Sequence, residues 1–160
     1  RVRLALMGIS GLGTHLLSIV WLVKPVWLSW SRLPLSDWPR WLGIAVGLAT
    51  VWLGYLAHRT LGASFTPTLK IGESHRLVAQ GIYRCIRHPM YTSFFAYLAA
   101  SFLLTANGLI GVLGLVYSFL ILERVGHEER MMLDTFGEEY RQYTRRTGRF
   151  LPRLIRRETG

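Results

Sequence analysis

The chain has 160 residues, 51% of them hydrophobic and only 18% charged, and its formal net charge is +10. A chain of this length fits one domain, but soluble domains normally carry about 25% charged residues. The composition therefore argues against a soluble globular protein. The positive charge could attract nucleic acid, but the C-terminal tail mixes acidic residues with basic ones, so we predict no nucleic-acid partner.

The N-terminal half contains two long segments without a formal charge, residues 4–23 and 41–57. An apolar segment of about 18 residues is typical of a transmembrane helix. The first segment could instead be a cleaved signal peptide, because Arg1 and Arg3 precede it, but it is long and lacks a small-x-small cleavage site. We therefore predict two retained spans. Because the sequence does not begin with Met, we allow for a further span upstream.

Residues 90–122 form a third segment without a charge, and its 33 residues are too long for one span at a rise of ~1.5 Å per residue. Asn107-Gly108, near its middle, is a strong turn signal. We therefore predict a helical hairpin of residues 90–106 and 108–122. The three segments together predict an all-α polytopic membrane bundle with about four transmembrane helices, forming one domain over residues 1–160.

The basic residues are distributed unevenly along the chain. Only three of the 19 Lys and Arg residues lie in the connector 24–40, whereas the others lie in the N-terminus, in 58–89 and in 123–160. Basic residues favour the cytoplasmic side, so we predict cytoplasmic termini in a bacterial inner membrane or the endoplasmic reticulum, with membrane lipids as partners. Four tryptophans flank the connector, as is typical of an interfacial belt: Trp27, Trp30, Trp38 and Trp41.

The first polar segment on the predicted cytoplasmic side ends in Arg87-His88-Pro89, directly before the third uncharged segment. Proline is favoured in the first turn of a helix. The N-terminus of a helix offers free amide donors and about half a positive charge, so it attracts anions. The alternative interpretation is that Arg87 and His88 only mark the membrane boundary.

The second polar segment begins at Glu123 and contains Glu128-Glu129. Paired glutamates are usually a surface feature, but these follow a span and face the same side as Arg87-His88. No histidine pair, His75 and His127 included, has the spacing of metal ligands, so we predict no metal site. An apolar stripe at spacings of three and four predicts a cytosolic amphipathic helix at the C-terminus: Leu133, Phe136, Tyr140 and Tyr143.

These two polar segments resemble the motifs of a known family. Residues 75–91 (HRLVAQGIYRCIRHPMY) look like the first hallmark of the isoprenylcysteine carboxyl methyltransferase family, which is related to the membrane phospholipid N-methyltransferases. Residues 128–143 (EERMMLDTFGEEYRQY), followed by Arg149 and Pro152, look like its second hallmark. The resemblance covers residues 70–152 and includes the hairpin between the motifs.

The resemblance implies transfer of a methyl group from S-adenosylmethionine to a lipophilic acceptor, with residues 70–152 as the cofactor-binding part. Members of the family are helical membrane proteins whose cofactor site opens to the cytosol and whose substrate enters from the lipid. Many of them have five or more spans, and this chain departs from them at its N-terminus. The resemblance implies these cofactor-binding residues: His75, Leu77, Val78, Gly81, Tyr83, His88, Pro89, Tyr91, Glu128 and Glu129.

The types of residue in the two motifs suit the chemical groups of this cofactor. A helix N-terminus with Arg87-His88 suits its carboxylate, and Glu128-Glu129 can accept hydrogen bonds from its ammonium or ribose hydroxyls. Tyr83 or Tyr91 could face the sulfonium, a cation–π contact that contributes ~0.5–2 kcal/mol.

The choice of catalytic residues depends on the methyl acceptor. A carboxylate acceptor needs no base but needs a cation to hold it, and Arg87, Arg145 and Arg146 are the candidates. An amine acceptor must lose a proton, for which Glu128 or His88 could serve. We therefore predict Arg87, Glu128, Arg145 and Arg146 as the catalytic residues.

Several functions remain open at this point. Prenylated cysteine carboxylate, phospholipid amine and small thiol are all compatible acceptors, so a phospholipid N-methyltransferase or a thiol S-methyltransferase is an alternative. A more distant alternative is an NADPH-dependent membrane reductase, and another is a non-enzymatic membrane scaffold. The sequence does not reveal the host or the oligomeric state.

Overall fold

The computed structural model describes residues 2–61 and 77–153, and there it contains α-helices and short 3₁₀ helices. The α-helices are α1 (Val2–Val23), α2 (Trp38–Leu61), α3 (Pro89–Thr105) and α4 (Gly108–Arg146), and the 3₁₀ helices are Pro25–Ser31 and Gly81–Arg84. The only β pairing within these ranges is two isolated bridges. The predicted all-α class is therefore confirmed for this part of the chain.

Three of the described helices, α1, α2 and α4, are long and apolar enough to cross a membrane. Large apolar side chains remain exposed along them, Leu12 by 63%, Leu48 by 70% and Leu115 by 73%. Such exposure is unfavourable in water, whereas lipid acyl chains cover it without loss. Helix α3 has 17 residues, fewer than the ~20 of a typical span, so the count of four spans remains a prediction.

The described residues group into two compact units. The first unit comprises the residues up to Thr50 and Phe94–Arg124, and the second comprises Val51–Ser93 and the residues from Val125 onward. The first therefore contains α1 and the turn between α3 and α4, whereas the second contains the described parts of both polar segments. The single domain over residues 1–160 remains a prediction.

The turn between α3 and α4, in the first unit, is organised by Asn107, which is 1% exposed. Its Oδ1 atom accepts hydrogen bonds from the backbone N–H groups of Leu109 (3.1 Å) and Ile110 (3.2 Å), so the side chain caps α4. The hairpin turn lies where the sequence predicts it. The left-handed residue is however Ala106, with φ 47°, and Gly108 is already the first residue of α4.

The same side chain ties this turn to the connector between α1 and α2. Asn107 Nδ2 donates hydrogen bonds to the Leu28 carbonyl (3.0 Å) and to Ser31 Oγ (2.7 Å), and the Leu33 N–H donates to the Ala106 carbonyl at 2.7 Å. The connector itself forms the 3₁₀ helix Pro25–Ser31, which the sequence analysis did not predict. Buried polar groups need partners, so Asn107 holds the connector in place.

Glycines bring pairs of helices close together in the first unit. A Cβ atom on Gly43 of α2 would lie 2.9 Å from the Leu104 nitrogen and 3.0 Å from the Ala100 carbonyl oxygen, both in α3. A Cβ on Gly11 of α1 would lie 2.9 Å from the Tyr117 ring of α4. Small residues at such contacts let membrane helices approach each other, which explains glycine at both positions.

In the second unit, the segment that follows α4 turns back and pairs with the segment before α3. The N–H of Arg87 donates to the Gly148 carbonyl at 2.8 Å, and the N–H of His88 donates to the Arg149 carbonyl at 3.1 Å. A Cβ on Gly148 would overlap the Leu151 carbonyl, so only glycine fits this tight return. These bonds hold the end of the first motif, at Arg87-His88, against Gly148-Arg149 at the end of the second.

Two glycines with positive φ shape the backbone of the second unit. Gly81, with φ 55°, opens the 3₁₀ helix Gly81–Arg84, and a Cβ there would lie 2.7 Å from Thr60 Oγ1. Gly137 lies inside α4 with φ 51° and ψ −120°, so the helix is interrupted at this residue. The apolar stripe predicted over residues 133–143 therefore crosses an interruption and does not follow one straight helix.

Candidate functional site

Glu129 of α4 lies at the centre of the charged cluster in the second unit. Its Oε1 atom accepts hydrogen bonds from Arg87 Nε (3.1 Å) and His88 Nε2 (3.2 Å), and its Oε2 accepts one from Arg149 Nη2 at 2.6 Å. The Glu129 side chain is only 21% exposed. Three side chains from two other segments of the chain therefore meet at this carboxylate.

The electrostatics of this cluster keep Glu129 ionised. Burial by itself would raise the pKa of Glu129, but the hydrogen bonds from His88, Arg149 and Arg87 outweigh burial and lower it to about 2. Because the carboxylate is charged, His88 Nε2 carries a proton and donates it to this bond. Glu129 is therefore a fixed anion that orders three donors around it.

The guanidinium of Arg87 is also held by the end of α4. Its Nη1 atom donates to the carbonyl of Thr147 (2.6 Å) and to that of Thr144 (3.2 Å). These are carbonyls of the last helical turn, where a cation is favoured by the helix dipole. With its side chain 12% exposed, Arg87 links the start of α3 to the end of α4.

Glu128 lies next to Glu129 and has a different set of partners. Its Oε1 atom accepts a short hydrogen bond, 2.6 Å, from the hydroxyl of Tyr91 in the first turn of α3. Its Oε2 atom lies 4.0 Å from His88 Nδ1. The ring of His88 therefore lies between the two carboxylates, bonded to Glu129 and close to Glu128.

Three tyrosines of the second unit have raised pKa values, and two of them, Tyr83 and Tyr140, are buried. Burial, with the charge of Glu128 as a smaller cause, raises the pKa of Tyr83 to about 12, and burial with the charge of Glu129 raises that of Tyr140 to about 12. Burial also raises the pKa of Tyr143, whose hydroxyl donates to the Tyr83 carbonyl at 2.7 Å. The raised pKa values keep all three hydroxyls protonated near neutral pH.

The remaining predicted residues take varied positions. Leu77 and Val78 are half-buried and Gly81 is exposed in the segment before α3, whereas Pro89 is buried as the first residue of that helix. His75 lies outside the described residues.

Arg145 and Arg146, predicted to be catalytic, are exposed in the last turn of α4. The Arg145 carbonyl accepts a hydrogen bond from Arg153 Nη1. Within the described part of the chain, the arginines that bind Glu129 are Arg87 and Arg149. The structure thus brings Arg87 into the cluster, and places Arg145 and Arg146 at the surface.

Arg149 was not predicted as a site residue, although its position carried a signal. It is 42% exposed, donates to Glu129, and lies 5.8 Å from the Phe150 ring centroid. The ring of Phe150 in turn lies 6.1 Å from that of His88. Arg149 belongs to the second motif quoted above, so the motif pointed to this residue, but only the fold shows its contact with Glu129.

The first unit contains a separate apolar groove between α3 and α4, with a volume of about 500 Å³. Its walls include Phe95, Leu98, Phe102 and Leu115. None of the predicted site residues lines it. The groove therefore belongs to the first unit and shares no residue with the predicted site.

Comparison with known proteins decides the family. The sequence profile of the Isoprenylcysteine carboxyl methyltransferase (ICMT) family matches residues 41–134, more than half of the chain. The chain belongs to the ICMT family. The matched range includes Arg87, His88, Tyr91, Glu128 and Glu129, so the family region contains most of the charged cluster, which confirms the family resemblance noted in the sequence.

Curated relatives match this chain over most of its length. A probable protein-S-isoprenylcysteine O-methyltransferase of Oryza sativa subsp. indica is 31% identical over 119 residues, which are 70% of this chain and 62% of that protein. The protein-S-isoprenylcysteine O-methyltransferase of Mus musculus is 30% identical over 141 residues, 78% of this chain and 48% of that protein. The chain thus spans about half to three fifths of the length of these relatives.

A solved structure has the same fold as this chain over most of the chain's length. The eukaryotic intramembrane Ras methyltransferase ICMT, solved without a monobody, superposes with a TM-score of 0.66 at 24% sequence identity, covering 90% of this chain and 51% of that one. Together with the apolar helices, this fold makes the chain an integral membrane protein.

Proposed function

We propose that this chain transfers a methyl group from S-adenosylmethionine to a lipophilic acceptor at the membrane. The observation that carries the proposal is the meeting of Glu128 and Glu129 with Arg87, His88 and Tyr91, which joins the two motifs at one place in the second unit. Membership of the ICMT family supports the same reaction class and weakens the alternative of an NADPH-dependent reductase.

The donors and acceptors of the cluster fit S-adenosylmethionine, which combines a carboxylate, an ammonium, ribose hydroxyls, adenine and a sulfonium. The Glu128 carboxylate has acceptor positions beyond the bond from Tyr91 and would receive the ammonium or the ribose hydroxyls. Arg149, with nearly half of its side chain exposed, would hold the carboxylate. The rings of Tyr91 and Phe150 would face the sulfonium and adenine.

The bound cofactor supplies an electrophilic methyl group, and this chain's residues supply position and charge. Glu129 and Arg87 act as positioning residues, because their hydrogen bonds to each other and to the end of α4 fix both side chains. His88, held by Glu129, orients its ring towards Glu128. Such preorganisation is the main contribution that a protein makes to a displacement between two bound reactants.

The acceptor that we favour is a carboxylate on a lipid-modified cysteine. The relatives are named protein-S-isoprenylcysteine O-methyltransferases, and O-methylation of an ionised carboxylate needs no base. The cluster agrees with this requirement, because the pKa of Glu129, lowered to about 2, makes its carboxylate a poor base. Arg145 and Arg146 remain proposed contacts for an anionic acceptor, and a higher KM for the acceptor in Arg145→Gln or Arg146→Gln would support that role.

The proposal includes the topology expected from the sequence. Four spans, with α3 as the fourth, place both termini and the charged cluster on the cytoplasmic side in one functional domain. A water-soluble cofactor then reaches the cluster from the cytoplasm, while a lipid-borne acceptor reaches it from the bilayer. Cysteine accessibility on either side of sealed vesicles tests this arrangement, with labels at Arg32 and at Arg130.

Isothermal calorimetry on the purified chain in detergent tests cofactor binding directly. We expect saturable binding of S-adenosylmethionine and no displacement of it by NADPH. Glu128→Gln should weaken binding by about tenfold, since it removes one charge-assisted contact. Glu138→Gln is the matched control, because Glu138 lies on the same helix and its side chain is 58% exposed. Unchanged affinity in Glu128→Gln would remove this residue from the site.

A transfer assay with methyl-labelled cofactor identifies the acceptor. Membranes containing the chain are offered three acceptors in parallel: a prenylated cysteine, phosphatidylethanolamine and an alkyl thiol. Label that is released from the prenylated cysteine by mild base marks a carboxyl methyl ester and supports the proposal. Label on the amine or the thiol would assign the alternative acceptors. Cofactor binding without labelling of any acceptor would favour the scaffold interpretation.

A further inference from the structure

A second cavity lies in the first unit, where α1 continues through the 3₁₀ helix Pro25–Ser31 into α2. Its volume is about 250 Å³, and its walls are mostly apolar, with Trp21, Val26 and Leu28 among them. Arg32, which is exposed, and Arg40, whose side chain is 27% exposed, also line it. A mostly buried cationic side chain beside an apolar cavity needs acceptors for its N–H groups.

Arg40 carries an unsatisfied donor at this cavity. In the part of the chain that the structure describes, Arg40 Nε is the one buried side-chain nitrogen or oxygen without a hydrogen-bond partner. The other side of the guanidinium is occupied, since Nη1 pairs with Asp37 Oδ1 at 3.1 Å. Asp37 is 83% exposed, so this pair lies at the water-facing edge. The Nε–H group therefore lacks an acceptor among the described residues.

The wall of the cavity is fixed in place before any ligand binds. The Leu28 carbonyl accepts a hydrogen bond from Asn107 Nδ2, and so does the neighbouring Ser31 hydroxyl. The backbone of Arg32 also bridges to Asn107. A preformed site loses less conformational entropy on binding than a mobile loop does.

The expected depth of the cavity in the bilayer indicates which group could accept a hydrogen bond from Arg40. The exposed tryptophans Trp27 (62%), Trp30 (74%), Trp38 (67%) and Trp41 (74%) lie on this connector and the start of α2. Exposed tryptophans of membrane proteins lie at the level of the lipid headgroups. Phosphate is the anionic acceptor that is abundant at that level, and it matches the fork of an arginine side chain.

We propose that this cavity binds the phosphate of a phospholipid whose acyl chains run along the exposed apolar side chains of α1 and α2. Arg40 donates through the Nε side of its guanidinium, and Arg32 contributes the second cation. Exposed apolar residues next to the cavity, such as Val26 (70%) and Leu22 (73%), provide the surface for the chains. This inference concerns the first unit and is independent of the proposed methyl transfer.

Binding of phosphatidylglycerol to the purified chain in dodecyl maltoside tests the proposal. Native mass spectrometry counts bound lipid, and the rise of Tm with lipid concentration gives an apparent affinity. Arg40→Gln and Arg32→Gln should each weaken that affinity by about tenfold. Arg40→Lys keeps the charge but loses the Nε donor, so it should also bind more weakly. The Tm of each variant without lipid shows whether the variant is folded.

Lys24→Gln is the matched control, because it removes one charge from the same connector. Lys24 lies over the Trp27 ring, 5.0 Å from its centroid, and does not line the cavity. We expect Lys24→Gln to bind like the wild type. Equal losses of lipid affinity in Lys24→Gln and Arg40→Gln would show that lipid is attracted by the general surface charge. That result would overturn the proposed site.

Two further probes separate the lipid from a free anion. Diacylglycerol lacks the phosphate and should not raise Tm, and soluble glycerol phosphate lacks the acyl chains and should bind far more weakly than the lipid. Glycerol phosphate binding as tightly as phosphatidylglycerol would overturn the lipid assignment. Wild-type affinity in both Arg32→Gln and Arg40→Gln would overturn the proposal as a whole.

Discussion

His88 Nε2 lies 3.2 Å from Glu129 Oε1, although 41 positions separate the two residues. The bond joins the residue before α3 to the middle of α4, the two places where the sequence motifs lie. Arg87 uses the same oxygen, and Arg149 uses the other one. The Glu129 carboxylate is therefore the shared partner through which the two motifs are held together.

Replacing Glu129 with glutamine should destabilise the chain. The substitution leaves Arg87 with a neutral partner in a place where its side chain is 12% exposed, and we expect a loss of about 2 kcal/mol in the free energy of unfolding. For a chain of this size that corresponds to a Tm lower by roughly 4–8 °C. Thermal unfolding in detergent measures the difference, and Glu138→Gln should leave Tm unchanged.

The low pKa of Glu129 predicts a specific dependence of stability on pH. A carboxyl group whose pKa falls from an ordinary value of 4.5 to about 2 on folding stabilises the folded state above pH 4.5. That contribution is lost as the pH falls from about 4.5 towards 2. Tm should therefore drop in this window more steeply for the wild type than for Glu129→Gln. Parallel curves for the two proteins would contradict the assigned pKa.

Asn107 should be among the most sensitive positions of the first unit. Asn107→Ala removes the cap of α4 and the bonds to Leu28 and Ser31, so we expect a loss of about 2–3 kcal/mol. Thermal unfolding again provides the measurement. Ser29→Ala is a suitable comparison, because the exposed Ser29 hydroxyl bonds only within its own turn, to the Val26 carbonyl, and its removal should cost little.

Gly81 should tolerate no side chain, for two separable reasons. Its φ of 55° is unfavourable for alanine by about 1–2 kcal/mol, and a Cβ would lie 2.7 Å from Thr60 Oγ1. We expect Gly81→Ala to lower stability by about 2–3 kcal/mol. Adding Thr60→Ala removes the steric part, so the double variant should recover some of that loss. If the double variant is no more stable than Gly81→Ala, the whole loss of stability is due to backbone strain.

Much of the fold follows from local properties of the sequence. The uncharged segments 4–23 and 41–57 lie within α1 and α2, and the turn near Asn107 separates α3 from α4. Hydropathy and turn propensity depend on residues close together in the chain, so both can be read from the sequence without knowledge of the fold. The 3₁₀ helix Pro25–Ser31 was missed because its apolar, tryptophan-rich sequence has no distinct periodicity.

The candidate site was predictable as a set of residues but not as a geometry. The motifs pointed to Arg87, His88, Tyr91, Glu128 and Glu129, and the structure brings all five together. Sequence alone did not show that Glu129 is held by two arginines and His88 while Glu128 faces Tyr91. Adjacent residues point in different directions on a helix, so Glu128 and Glu129 have different neighbours, and only the fold shows which ones.

By itself, the sequence determined that this chain is a helical membrane protein with two polar motifs flanking a hairpin, because apolar length and residue type are local quantities. Only the tertiary structure decided which charges pair. Arg149 reaches Glu129 from 20 positions away, and Arg40 retains an unpaired buried Nε. Such outcomes depend on which segments pack together, because residues distant in the sequence determine whether a charged group has a partner.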